Sequence, residues 1–118
     1  CANKANIKWT IRNGGHSYEG FSQLNEGYVI DLQNLVGVKV NPDNTVVVGA
    51  GEMFGHVYSE LAAKNLYVPA GTGPNVGVSG VTLGGGIGYA TRKRGVTCNS
   101  VVSARVVTAE GEIKVVVP

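Results

Sequence analysis

Two glycine-rich stretches carry the residues that could do chemistry. The first is Arg12-Asn13-Gly14-Gly15-His16-Ser17-Tyr18-Glu19-Gly20. Adjacent glycines leave backbone N–H groups uncovered, and a concavity of such groups is one way a chain cradles a diphosphate. A histidine directly after the turn is then held rigidly beside whatever the turn binds. Taken alone, the same residues also fit a tight turn whose histidine merely faces water. The second stretch, Val76-Gly77-Val78-Ser79-Gly80-Val81-Thr82-Leu83-Gly84-Gly85-Gly86-Ile87-Gly88, sets three consecutive glycines in an apolar run. Inside regular structure each glycine costs roughly 0.5–1 kcal/mol relative to alanine. Neither helix nor strand propensity accounts for such a run, whereas close approach of backbone to a ligand or to another backbone does.

Around these stretches the sequence places short strands and one helix. Ile7–Ile11 alternates as a half-buried strand leading into the first stretch, and Tyr28–Leu32 reads as a second strand after it. Val36–Val40 and Thr45–Val48 form a hairpin across Asn41-Pro42-Asp43-Asn44. An amphipathic helix follows from about Met53 to Asn65, with Phe54, Val57, Tyr58, Leu61 and Ala62 on its buried face. After the second stretch comes a short helix, Tyr89–Arg94, ended by Gly95. A last hairpin joins Val101–Thr108 to Glu112–Val117 through Glu110-Gly111.

Composition bounds the rest. Eighteen glycines in 118 residues is more than twice the usual share of about 7%. They cluster without a fixed period, which excludes collagen and low-complexity disorder. The net charge of +2 is too small to argue for nucleic acid, and Arg92-Lys93-Arg94 reads as a solvated helix end. No apolar run approaches the ~20 residues that cross a bilayer. The two cysteines, Cys1 and Cys98, allow at most one disulfide and have no metal-ligand spacing, so no metal site is expected. Cys98 reads as a small buried hydrophobe. His56, with no partner evident in the sequence, reads as a surface residue.

One imitation is set aside. Val46–Val48, Gly49-Ala50-Gly51-Glu52-Met53-Phe54-Gly55 and a helix mimic a dinucleotide-binding strand–turn–helix. The glycine spacing is wrong, and no Asp or Glu lies between Glu60 and Glu110 to meet a ribose.

The two stretches together, with Tyr89-Ala90-Thr91-Arg92-Lys93-Arg94-Gly95 and Val101–Gly111, resemble the FAD-binding (PCMH-type) domain of the vanillyl-alcohol oxidase superfamily. Within it they are most similar to the berberine-bridge-enzyme-like and hydroxynicotine-oxidase-like flavoproteins. The resemblance implies an α+β FAD-binding domain, a mixed sheet with flanking helices. Residues 1–118 would be its central portion, with a preceding lobe and a substrate domain outside them. It implies FAD as cofactor, with His16 bonded to the flavin's 8α carbon. Arg12, Asn13, Gly14, Gly15, Ser17, Gly77, Val78, Gly80, Gly84, Gly85, Gly86 and Gly88 would line the cofactor, and a Cβ at Gly85 would meet the ligand rather than the core. Val78 would stand beside the oxygen pocket, and Tyr18 and Tyr89 could wall the flavin. Many berberine-bridge-like enzymes carry a second flavin bond through a cysteine, whose place here is held by Gly73; a single bond is expected.

The activity so implied is that of an oxidase. It would take hydride from a carbon bearing an alcohol or amine, with a small sugar, alcohol or amine as substrate and dioxygen as acceptor. A secreted location is favoured on the same ground. Two alternatives stay open: a non-catalytic fragment or binding module without FAD, and a glycine-rich phosphate binder unrelated to flavins.

Overall fold

The computed structural model describes residues 2–118; Cys1, and with it any pairing to Cys98, lies outside the described residues. Six strands and three helices follow in order: β1 (Trp9–Arg12), β2 (Tyr28–Asp31), β3 (Val38–Val40), β4 (Val46–Val48), α1 (Phe54–Ala62), α2 (Val78–Leu83), α3 (Thr91–Arg94), β5 (Ala104–Val107) and β6 (Ile113–Val116). Short 3-10 turns lie at Asn3–Ala5 and Thr97–Ser100. The strands pair as three ribbons, β1 with β2 in parallel and β3–β4 and β5–β6 antiparallel.

The parallel pair decides where the first glycine stretch goes. Parallel neighbours cannot be joined by a tight hairpin and need a crossover. Residues 13–27 make that crossover, so the glycine stretch leaves from the carboxyl end of β1, the end where ligands bind in open parallel sheets. Register is pinned at that end, where Arg12 faces Asp31. The Arg12 Nε donates to Asp31 Oδ2 at 3.0 Å, and the Gln33 N–H donates to Oδ1 at 2.9 Å. The guanidinium first, and the Gln33 N–H after it, hold the Asp31 carboxyl below the usual carboxylate range.

Helix α1 supplies the core. Phe54, Val57 and Leu61, at helical spacing, are buried, and so is Ala70. Tyr58 is half-buried, stacks on Phe54 with ring centroids 5.4 Å apart, and donates its hydroxyl to the Gly71 carbonyl. Ala62, expected inside, is exposed, because the core is only wide enough for the stripe through positions 54, 57 and 61. The helix stops short of Asn65, which takes a left-handed φ of 55°. The Leu66 N–H reaches Leu61 O at 2.9 Å and Asn65 N–H reaches Ala62 O at 3.0 Å, the hydrogen-bond pair that terminates helices at a left-handed residue.

The other boundaries move inward for a similar reason, since strand structure persists only where a partner is present. The hairpins keep their expected turns. Asp43 Oδ1 accepts from the Thr45 N–H at 3.0 Å, and Gly111 turns β5 into β6 with φ of 89°. The second glycine stretch is irregular only in part: Val78–Leu83 is helical, while the triple glycine and the residues up to Gly88 lie outside regular structure. The first N–H groups of the helix are taken by non-local acceptors: Val78 by Glu52 O at 2.9 Å and Ser79 by Asn13 Oδ1 at 3.2 Å. Those bonds offset what the glycine costs.

Candidate cofactor site where the two glycine loops meet

The two stretches touch, although they are far apart in sequence. A Cβ on Gly14 would lie 2.7 Å from the Gly77 nitrogen, and one on Gly77 would lie 1.9 Å from Asn13 Oδ1. Glycine is required at both positions for the loops to close on each other. The Asn13 side chain lies across the seam, with its oxygen on the Ser79 N–H. Its Nδ2 is buried with no partner among the described residues. On its other side, residues 74–78 are bound to the start of α1. Phe54 N–H donates to Val76 O at 3.0 Å, Gly55 N–H donates to Pro74 O at 2.8 Å, and Met53 bridges Gly77.

His16 is exposed, and its Nε2 lies 3.0 Å from the Asn75 carbonyl oxygen. A carbonyl can only accept, so Nε2 carries a proton and the neutral imidazole keeps its lone pair on Nδ1. Ser17 accepts from the Phe21 N–H at 3.3 Å, which folds the loop back behind the histidine. Among the described residues, the N–H groups of Gly15, His16 and Ser17 donate to no protein acceptor. They are available to an anionic ligand.

The remaining glycines divide into two sets. Gly80 and Gly85 open onto empty space, with no protein atom within 4 Å of a built Cβ. Gly85 also has φ of 95°, so a side chain there is strained whatever the space. In contrast, a Cβ on Gly86 would strike Thr97 Oγ1 at 2.1 Å, and one on Gly88 would strike Ala70 O at 1.8 Å. Gly86 lets the chain pass the Thr97 and Val81 side chains, and Gly88 lets it pass the Ala70 backbone. Gly84 continues the helix, its N–H donating to Gly80 O at 3.1 Å, and Val78 opens it. Arg12 lies against Gly15 but spends its guanidinium on Asp31. Tyr18 and Tyr89 are fully exposed, and Gly73 packs on Val76.

His56 lies at the surface as expected, but it has a partner: its Nδ1 lies 3.0 Å from both oxygens of Glu52, a buried carboxylate four residues before it. The i,i+4 spacing was the available signal. Cys98 is exposed rather than buried, because it sits on the outer side of the Thr97–Ser100 turn. Its N–H donates to the Gly85 carbonyl at 2.9 Å, its carbonyl accepts from the Val101 N–H at 3.1 Å, and its sulfur lies 3.6 Å from Asn99 Oδ1.

Glu52 is the main buried charge beside the site. Burial pushes its carboxyl up, but the Gly37 N–H at 2.7 Å, His56 and the Met53 N–H outweigh burial and hold it below the usual range. Its contribution to stability is therefore complete above the unfolded value of about 4.3 and is lost as pH falls toward the folded-state pKa. Asp31, Asp43 and Glu110 are shifted in the same direction. Thermal midpoints are expected to fall below about pH 4.5, and less steeply in Glu52→Gln than in the parent. Equal slopes would remove Glu52 as a cause.

A Gly-Gly-His loop at the end of a parallel strand is here closed against a glycine-rich helix start. The chain belongs to the FAD binding domain family, whose model matches residues 1–116. It is 46% identical over 110 residues, 92% of its length, to the uncharacterized FAD-linked oxidoreductase YgaK of Bacillus subtilis (strain 168). Over 96% of its length it is 40% identical to berberine bridge enzyme-like 23 of Arabidopsis thaliana. Among solved structures it superimposes on 6-hydroxy-D-nicotine oxidase from Arthrobacter nicotinovorans with a TM-score of 0.94 at 28% identity, over 98% of this chain and 26% of that one. It superimposes on glucooligosaccharide oxidase from Acremonium strictum, described with a 6-S-cysteinyl, 8α-N1-histidyl FAD, with a TM-score of 0.89 at 33% identity, over 99% of this chain and 25% of that one. The chain spans 24% and 22% of the two curated relatives, about a quarter of their length. Its fold is that of a PCMH-type FAD-binding domain, and its cofactor is FAD.

Among the described residues no helix is long and apolar enough to cross a membrane, and no His, Cys, Asp and Glu cluster could hold a metal.

Proposed function

We propose that this chain is the cofactor-holding part of a flavin-dependent oxidase, and that His16 carries the flavin through a single covalent bond. The observation that supports this best is the state of His16. It is exposed beside three free N–H groups, with Nε2 engaged by Asn75 and the Nδ1 lone pair uncommitted. Nδ1 is therefore the atom available to the flavin's 8α carbon. There a C–N bond would replace one C–H, the proton passing to solvent and the electron pair to the flavin and on to dioxygen. The free N–H groups of residues 15–17 would take the anionic part of the cofactor, and the open faces of Gly80 and Gly85 leave room for it.

When bound, the flavin supplies hydride acceptance from a carbon bearing an alcohol or amine and reoxidation by dioxygen. The residues of this chain bind, orient and anchor it. Asn13 keeps the two loops together, Asn75 fixes the histidine tautomer, and Arg12 closes the strand end from which the histidine loop departs. The protein expressed from its full reading frame should be yellow with flavin absorption bands. It should consume dioxygen with a small sugar, alcohol or amine in a substrate panel. A colourless protein that takes up no added FAD would overturn the reading.

A further inference from the structure

Glu52 belongs to no part of the site described so far, yet it is 4% exposed and fully ligated. A carboxylate is costly to bury unless hydrogen-bond donors surround it. Here they come from three places: Gly37 before β3, Met53 at the start of α1, and His56 one turn into α1. Apart from His56, the titratable group near this pair is Glu60, 3.8 Å from His56 Nε2. The turn before Glu52 has no slack, since a Cβ on Gly51 would lie 1.8 Å from Leu32 O.

The backbone from Glu52 to Gly55 is in turn the template for the segment that faces His16. Glu52 O takes the Val78 N–H at 2.9 Å. Phe54 and Gly55 bind the carbonyls of Val76 and Pro74, the two neighbours of Asn75. Asn75 carries the carbonyl that holds His16 Nε2.

We propose that Glu52, with His56, is a positioning residue for flavin attachment. Its carboxylate fixes the 52–55 backbone, that backbone fixes residues 74–78, and the Asn75 carbonyl then aims the His16 imidazole. The inference rests on the flavin reading above and goes beyond it by assigning a role to a carboxylate that touches neither the flavin nor His16.

The test uses the full reading frame produced in riboflavin-starved cells and given saturating FAD. The readouts are the rate at which flavin becomes acid-stable and circular dichroism in the flavin bands. Glu52→Gln is expected to attach flavin at least tenfold more slowly than the parent and to show an altered flavin-band spectrum. His56→Ala, a change at a half-exposed side chain, should slow attachment about threefold while keeping the parental far-UV spectrum. A purely structural carboxylate would lower the thermal midpoint and leave attachment rate and flavin spectrum unchanged, which would overturn the proposal. If Glu52→Gln fails to fold, His56→Ala decides, and a parental rate there overturns it. A parent that never acquires acid-stable flavin overturns the covalent-flavin reading and this inference with it. A parent that does, with both variants at its rate, overturns this inference alone.

Discussion

His16→Ala is expected to leave no acid-stable flavin. In the parent, acid precipitation should give a yellow pellet, and a proteolytic peptide containing His16 should carry the flavin mass. In the variant the pellet should be colourless, with any bound flavin released to the supernatant. The expectation of complete loss follows from the residues around the site. Gly73 offers no thiol in the loop beside the histidine. Cys98, the cysteine among the described residues, is tied to Gly85 through its N–H, and its sulfur is directed to Asn99 Oδ1 at 3.6 Å. Its exposure makes it a fair rival all the same, so Cys98→Ser is the companion variant and should keep all the acid-stable flavin. Covalent flavin that survives His16→Ala and disappears in Cys98→Ser would place the bond on sulfur. Survival in both would point to a residue outside the two loops.

What the sequence made legible follows the range of the interactions involved. The turns at Asn41-Pro42-Asp43-Asn44 and Glu110-Gly111 are local chemistry and stand where the residues placed them. The stop of α1 was local too, but it depended on Asn65 adopting a left-handed conformation, which asparagine permits without requiring. Helix α2 was hidden because Gly80 and the glycines flanking it argue against a helix. The acceptors that make it one, Glu52 O and Asn13 Oδ1, come from distant parts of the chain.

The candidate site divides in the same way. The Gly-Gly-His loop could be read from its own residues as a cradle or as a plain turn. The resemblance to flavoproteins pointed to the cradle, and the close approach of Gly14 to Gly77 brings the two stretches together. No local pattern announced that Asn75 holds His16, because a backbone carbonyl carries no residue identity. The Glu52–His56 pair, by contrast, was visible at i,i+4 spacing, and the missed partnership reflects burial rather than pattern.

The second large effect separates the glycines that build the cradle from those that leave it open. Gly77→Ala should damage the fold with or without FAD. The new Cβ would have to displace the Asn13 amide at 1.9 Å and the Gly14 nitrogen at 2.6 Å. Overpacking of this kind costs about 1–3 kcal/mol, and loss of the Asn13–Ser79 hydrogen bond adds about 1 kcal/mol, so a total of about 2–4 kcal/mol is expected. Gly80→Ala should act in the opposite direction. Gly80 lies inside α2 with no protein atom within 4 Å of its built Cβ, and alanine in a helix gains up to about 1 kcal/mol over glycine. The FAD-free protein should therefore melt slightly higher. Gly80→Leu fills more of the same open face and should reduce FAD uptake at least tenfold while the FAD-free melt stays near the parent's. Gly85 cannot serve in this comparison, since its φ of 95° would strain any side chain before a ligand is considered. Thermal melts of Gly77→Ala, Gly80→Ala and Gly80→Leu with and without FAD, together with FAD titrations, give the three signs. Unchanged FAD uptake in Gly80→Leu would move the cofactor away from α2 and leave the Gly14–Gly77 contact as a packing seam alone.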